Sequence, residues 1–142
     1  MIFSLFKKLA LITTVLTLCL VVLGAYVRLS DAGLGCPDWP GCYGTLSVPQ
    51  SESAIQHAQH AYPDKPVDTA RAWKEMLHRY LAGFVGLCIL ALAIVGWLQR
   101  RTLKVSPSKG SLLKVSPWLP SALVLVVGMQ AVLGMLTVTL LL

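Results

Sequence analysis

Charged side chains are scarce in this sequence. The 142 residues include 12 Lys or Arg and 6 Asp or Glu, which is 13% of the chain, while 56% are hydrophobic. Soluble domains carry about 25% charged residues, so this composition, with a mean hydropathy of +0.70, excludes an ordinary soluble protein. The sequence instead predicts an integral membrane protein that is surrounded by lipid.

Three apolar runs are long enough to cross a membrane as helices. They cover residues 9–27, 80–98 and 118–142. A hydrocarbon core about 30 Å thick needs about 20 helical residues. We therefore predict an all-α membrane protein, a single membrane domain over residues 1–142 with three transmembrane helices. Two lysines precede the first run, as in a secretory signal, but its length favours a retained helix.

Acidic side chains are absent from residues 99–117, which contain five Lys or Arg. All six acids lie in the segment 28–79, whose net charge is −1. Basic residues stay preferentially on the cytoplasmic side of a membrane. We therefore expect the N-terminus and the basic loop 99–117 to be cytoplasmic, and the loop 28–79 to lie outside a bacterial inner membrane. This topology explains the overall charge of +6 without a nucleic-acid partner.

The stretch GCPDWPGC, residues 35–42, places two cysteines in a turn rich in Pro and Gly. Its C-x5-C spacing lacks the C-x2-C pattern of zinc and thioredoxin-type sites. In the oxidising compartment outside the membrane, Cys36 and Cys42 are expected to form a disulfide, which would contribute about 2 kcal/mol by restricting the unfolded chain. The bond is interpreted either as a structural staple or as a redox-responsive link.

The remainder of the outer loop predicts two helical segments. Residues 51–62 lack Gly and Pro and favour a short helix along the membrane surface, and a second helix is expected to begin near Asp68 or Thr69. His57 and His60 are three apart in the first segment and could bind a metal. No further ligand is evident nearby in the sequence, so polar surface is the competing interpretation.

Glu75 and His78 are the strongest candidates for chemistry. They are three residues apart and share a helix face where the second apolar run begins. Ionisable groups at that depth are functional candidates. Steps of four from His78 reach Ala82 and Gly86, small residues that would leave a flat surface for another helix or a planar macrocycle.

Two interpretations of this face remain open. A neutral imidazole at His78 is suited to axial ligation of haem iron, and the Glu75 carboxylate could orient it or move protons. Alternatively, Glu75 pairs with Arg79 at i+4 in the headgroup region, and His78 is an amphipathic interfacial residue. Arg28 and Arg79, at the outer ends of two helices, could bind haem propionates or lipid phosphates. Gln130, in the third run, is interpreted as a hydrogen-bonding contact between helices.

Three blocks of this sequence resemble the haem A synthase family, which converts haem O to haem A for cytochrome oxidases. They are GAYVRLSDAGLGCPDWPGCYG at 24–44, WKEMLHRYLAG at 73–83 and MQAVLGMLTV at 129–138. The resemblance implies a bundle of eight membrane helices in two four-helix halves. The implied reaction oxidises a haem methyl group to a formyl group at the outer side of the membrane.

The resemblance also implies roles for individual residues and groups. Glu75 would be the catalytic acidic residue, His78 an axial ligand of haem iron, and Cys36 with Cys42 the outer-loop disulfide. In the family, this half is proposed to hold the substrate haem O, and the other half a haem b cofactor. Haem O synthase, the protohaem farnesyltransferase, is the expected supplier of substrate.

The sequence departs from the family pattern because it contains three apolar runs and lacks the second histidine of this half. We expect it to act with a further histidine-bearing half, either as a fragment of a longer protein or as one product of a split gene. A non-catalytic haem-binding or assembly partner is the alternative function. A quinone-linked membrane subunit is a third hypothesis, which the GCPDWPGC block does not support.

Overall fold

The computed structural model describes residues 2–105 and 118–140, with side chains described for residues 4–99 and 118–140. Four helices follow one another in these ranges: α1 (Ile2–Leu29), α2 (Glu52–Ala61), α3 (Thr69–Val105) and α4 (Trp118–Thr139). Three of them, α1, α3 and α4, are long and apolar enough to cross a membrane. The predicted all-α architecture with three membrane spans is confirmed.

The first span, α1, satisfies its threonine hydroxyls internally. Thr13 and Thr17 donate their hydroxyls to the carbonyls of Leu9 and Thr13, at 2.8 and 2.7 Å. Such bonds to the preceding turn remove hydroxyl donors from contact with hydrocarbon. The helix therefore remains compatible with lipid although it contains threonines.

The second span, α3, begins where the sequence predicted. Asp68 is its N-terminal cap, since Oδ1 accepts the N–H of Arg71 at 3.0 Å. The helix continues beyond the expected apolar run to Val105, so the first part of the predicted loop 99–117 is helical. Lys, Arg and Leu are good helix formers, which favours this extension. Residues 106–117 lie outside the described residues, as do 141 and 142 of the third predicted run.

A short helix, α2, occupies the segment predicted for it. Ser51 caps its N-terminus by accepting the N–H of Ala54 at 3.2 Å, and Pro63 follows its C-terminal cap. Ala58, at 3% exposure, is its buried contact. Its predicted position along the membrane surface stays a prediction.

The chain forms two compact units. One comprises residues 1–18 and 83–130, and the other comprises residues 19–82 and 131–142. In the unit that contains residues 83–130, α3 packs on α4. The Trp97 indole donates to the Ser121 hydroxyl at 3.0 Å, and a Cβ on Gly86 would meet Val127 at 3.6 Å. The small face predicted at Gly86 therefore accommodates a helix. The other unit contains α2 and the candidate functional residues.

Candidate functional site

Glu75 lies buried on α3 with both carboxylate oxygens engaged. Its side chain is 6% exposed. Oε2 accepts the backbone N–H of Cys36 at 2.9 Å, and Oε1 accepts from Nη2 of Arg79. The i+4 pairing with Arg79 that the sequence left open is therefore present, and the pair is joined to a backbone amide of the segment that connects α1 to α3.

Arg79 extends the same network to two backbone carbonyls. Its Nη1 donates to the carbonyl oxygens of Asp38, at 2.9 Å, and Gly41, at 2.5 Å. The side chain is 13% exposed, so the charge is largely withdrawn from solvent. Such a charge needs a partner and hydrogen bonds to offset its desolvation, and Glu75 with the two carbonyls provides both.

The residues thus held belong to the disulfide loop, residues 36–42. Cys36 and Cys42 are joined by a disulfide, which confirms the predicted bond. Inside the loop, the Asp38 carboxylate accepts the N–H groups of Tyr43 and Gly44 at 2.6 and 2.8 Å. Both of those residues have positive φ, at 53° and 76°, and the carboxylate stabilises this left-handed turn.

Two glycines allow the disulfide loop to approach other backbone closely. A Cβ on Gly35 would lie 2.7 Å from the carbonyl carbon of Arg71, on α3. One on Gly41 would lie 2.2 Å from the carbonyl oxygen of Thr45, which accepts the N–H of Cys42 at 2.8 Å. Any side chain at either position would require backbone movement, so the loop's position depends on both glycines.

A small apolar core lies beneath the disulfide loop. Its buried members come from the loop, the residues after it, α2 and α3, and they are Cys36, Cys42, Tyr43, Val48, Ala58, Ala72 and Met76, with Tyr62 and Val67 packed against them. This core holds the connecting segment together without a sheet. The first turns of α3 pack against this core through Ala72 and Met76.

Tyr43 links the left-handed turn to this core. Its hydroxyl donates to the carbonyl of Pro66 at 3.1 Å, and its ring packs edge to face on Tyr62 with centroids 5.7 Å apart. Burial raises the pKa of Tyr43 above its usual value, because an ionised phenolate would lose solvation there. The phenol is therefore held in its neutral form.

His78 is half-buried on α3 and faces α1. A Cβ on Gly24 would lie 2.9 Å from His78 Nε2, so the missing side chain at Gly24 gives the imidazole its space. Neither ring nitrogen has a hydrogen-bond partner among the residues that the structure describes. The imidazole nitrogens are therefore available to bind a ligand, and α1 and α3 together determine the position of the ring.

Comparison with known proteins identifies the family. The family described as cytochrome oxidase assembly protein matches residues 7–142. The chain belongs to this family. The resemblance found in the three sequence blocks is thereby confirmed, and the apolar helices with the family match establish a multi-pass membrane protein.

Individual relatives carry more specific names. The Heme A synthase of Shewanella oneidensis is 45% identical over 128 residues, 90% of this chain and 35% of that protein. The Heme A synthase of Shouchella clausii is 32% identical over 78% of this chain and 30% of its own length. The Protoheme IX farnesyltransferase 1 of Natronomonas pharaonis is 35% identical over 94 residues, 66% of this chain and 16% of that protein. The chain thus spans about a third of the length of these Heme A synthases, and no solved structure matches it.

The other predicted site residues of this family member lie apart from the network. Arg28 is exposed at the end of α1, and His57 and His60 are exposed on α2. No group of three or more His, Cys, Asp or Glu side chains suited to a metal ion occurs within residues 4–99 and 118–140. Gln130 is exposed on α4, so its predicted helix contact stays a prediction.

Sequence reasoning missed the residues that fix the site by their backbone contacts or by lacking a side chain. Asp38, Gly24 and Gly41 are not among the predicted site residues. For Arg79, the sequence leaves a propionate, a lipid phosphate and Glu75 open as partners but does not indicate the loop carbonyls. The sequence signal for Asp38 is limited to its place in a stretch rich in Gly and Pro, where Asp is typical of turns. The glycine contacts leave no comparable local signal.

Proposed function

We propose that this chain provides the substrate-binding part of a haem A synthase, an oxidoreductase that converts a methyl group of haem O to a formyl group. The observation that carries the proposal is the 45% identity to the Shewanella oneidensis Heme A synthase over 90% of this chain. The product would serve cytochrome oxidase assembly, in keeping with the family.

The residues present are suited to a haem substrate. An axial ligand must offer a neutral imidazole nitrogen, and His78 has two without hydrogen-bond partners among the described residues. Gly24 leaves the ring free of a neighbouring side chain. We propose that His78 binds the iron of haem O, and we propose no ligand for haem b in this chain. When bound, haem O would supply the methyl group to be oxidised, and its conversion to a formyl group would require an external oxidant.

The remaining roles follow from position and charge. Glu75 is the acidic residue we propose as required for activity, and its bonds to Cys36 and Arg79 fix its carboxylate one helical turn from His78. Arg28 is exposed and free to bind a propionate as a two-point fork. Arg79 could bind one only by giving up contacts that it makes within the chain.

The proposed orientation places the disulfide loop outside a bacterial inner membrane, with the N-terminus and residues 99–117 in the cytoplasm. The distribution of basic residues supports it, and the disulfide agrees with an oxidising compartment. We further propose haem O synthase as a partner. A sequence related to this chain forms part of the Natronomonas pharaonis protein named Protoheme IX farnesyltransferase 1.

A second candidate is a non-catalytic haem-binding or assembly partner. The observation in its favour is that both oxygens of Glu75 are already engaged by Cys36 and Arg79, as in a structural residue. The two functions differ in their product. Only the haem A synthase function requires haem A to form in membranes that contain the full gene product.

The test replaces His78 with Ala and uses His57→Ala, on exposed α2, as the matched control. We expect His78→Ala to lower both the haem retained on purification and the haem A extracted from membranes by at least about tenfold, as loss of a metal contact does. His57→Ala should match the unaltered protein. Unchanged haem A in His78→Ala membranes would remove this residue from the mechanism. Retained haem that never yields haem A would favour the assembly partner.

A further inference from the structure

One ion pair on α3 provides side-chain hydrogen bonds to the backbone of the disulfide loop, in addition to the packing of its cysteines on that helix. The N–H of Cys36 donates to the Glu75 carboxylate, and the carbonyls of Asp38 and Gly41 accept from Arg79. These contacts bind the beginning, the middle and the end of a loop of seven residues. Glu75 and Arg79 bind one another, so the contacts form one connected network.

The loop needs such a network because it has little regular structure of its own. Backbone groups that are withdrawn from water must find partners. Cys42 finds one in Thr45, through the pair of bonds at 2.8 and 3.2 Å that joins the two residues. The groups of Cys36, Asp38 and Gly41 find theirs in side chains of α3. The disulfide closes the loop covalently and meets the helix only by packing, with Cys36 Sγ 3.9 Å from the carbonyl oxygen of Ala72.

A second ion pair, at the start of α3, differs from the Glu75–Arg79 pair in exposure and in what it contacts. Arg71 pairs with Asp68, but the two side chains are 54% and 51% exposed and the pair caps only its own helix. Exposed pairs of that kind contribute little. Glu75 and Arg79 are 6% and 13% exposed, and a buried pair persists only where further hydrogen bonds satisfy it. The disulfide loop supplies those bonds.

We propose that Arg79 is a positioning residue that, together with Glu75, fixes the disulfide loop against α3 within one helical turn of His78. The sequence left haem propionates, lipid phosphates and Glu75 open as partners of Arg79, and the contacts that the structure describes are those with Glu75 and the loop carbonyls. That the loop thereby covers a haem rests on the proposed function, whereas the attachment of the loop to α3 does not.

The geometry separates this role from that of a simple positive charge. Nη1 of Arg79 donates to the two carbonyls of the loop, and Nη2 donates to Glu75. A lysine has the same charge but a single nitrogen on a flexible stem, so it cannot reproduce the planar fork. Arg79→Lys should therefore fail where a charge alone would suffice.

The experiment measures hydrogen exchange of the backbone amides of residues 36–44 in the purified protein, with haem and after haem depletion. The variants are Arg79→Lys and Arg79→Gln, and the controls are Arg71→Lys and Arg71→Gln. We expect exchange in the loop, above all at Cys36, to become at least about tenfold faster in both Arg79 variants, since bonds to charged groups are lost. Neither Arg71 variant should change it.

The haem-depleted arm keeps this inference independent of the proposed function. Accelerated exchange in both arms supports the positioning role even if the protein makes no haem A. Acceleration confined to the haem-loaded protein would overturn it in favour of a propionate contact, as would full rescue by Arg79→Lys in favour of a simple charge. Unchanged exchange in both Arg79 variants would also overturn it. Circular dichroism and non-reducing mass spectrometry confirm that each variant is helical and keeps its disulfide.

Discussion

The connecting segment, residues 30–68, and the membrane spans are held in different ways. In the segment, a disulfide, a small core and hydrogen bonds of specific geometry determine the position of each turn. In the spans, the buried share of the apolar window is 11% for α1, 28% for α3 and 6% for α4. The spans therefore depend mainly on apolar character and internal backbone bonding, whereas the segment depends on individual atoms.

This difference indicates where substitutions will matter. Exposed apolar positions on α1 and α4 bury little surface against the described residues, so exchanging them for other apolar residues should change few of the contacts described here. Positions such as Gly41 and Asp38 have no equivalent replacement. Three changes test the contrast, beginning with the one of largest expected effect.

Gly41→Ala should strongly disturb the connecting segment. The new Cβ would lie 2.2 Å from the backbone oxygen of Thr45, which bonds to Cys42, and backbone cannot move aside as a side chain can. We expect a loss of about 1–3 kcal/mol in the stability of this segment, measured by hydrogen exchange of residues 36–48.

Gly33→Ala is the matched control for this change. It lies in the same segment with nothing within 4 Å of the new Cβ, so it should leave the exchange of residues 36–48 unchanged. Equal behaviour of the two variants would show that the close approach at Gly41 does not hold the loop.

Gly24→Ala should separate stability from haem binding. The new methyl group would lie 2.9 Å from Nε2 of His78, and a side chain can move away at low cost, while alanine favours the helix by up to about 1 kcal/mol. We therefore expect a protein of equal or higher thermal stability, with an altered haem absorption spectrum and haem retention lowered by about tenfold.

The control is Gly128→Ala on α4, a span glycine with open space around the new Cβ. It should share the stability effect and leave the haem spectrum unchanged. If Gly24→Ala also left the spectrum unchanged, then the imidazole facing Gly24 would not be an iron ligand.

Alkaline pH should loosen the connecting segment before the spans. Because burial raises the pKa of Tyr43 above 10.0, the folded protein holds the phenol proton more tightly than the unfolded chain does. That contribution is complete below pH 10 and is lost as the pH rises through the raised pKa. Tyrosinate absorbance and loop exchange should change together at high pH, while the helical circular dichroism of the spans persists.

Tyr43→Phe tests this assignment. It lacks the bond to the carbonyl of Pro66, so its loop should exchange faster at neutral pH but with less further change on alkaline titration. An undiminished alkaline transition in this variant would mean that another group causes it.

Much of the architecture could be predicted from local sequence properties. The three spans follow from runs of apolar residues, the start of α3 follows from Asp68, and α2 follows from a stretch without Gly or Pro. The disulfide could be predicted from two cysteines in a segment assigned to an oxidising compartment. Each inference uses neighbours in the chain and a general property of the surroundings, so no tertiary contact was needed.

The candidate site was predicted only in part, because the contacts that set it join distant residues. Spacing placed Glu75 and His78 on one helix face and left open whether Glu75 pairs with Arg79. It could not indicate that Cys36 would donate to Glu75 from 39 residues away, or that Arg79 would donate to the carbonyl of Asp38. Backbone amides and carbonyls are the same in every residue type, so a sequence does not reveal which of them will meet a given side chain.

The sequence by itself determined the membrane class, the number of described spans, the disulfide pair and the family of this protein. These depend on composition, periodicity and motifs that are readable along the chain. Only the tertiary structure decided that the Glu75–Arg79 pair binds the disulfide loop and that Gly24 gives His78 its space. Both depend on which surfaces meet when the helices and the loop pack, and that is set by the whole unit and not by any one stretch of residues.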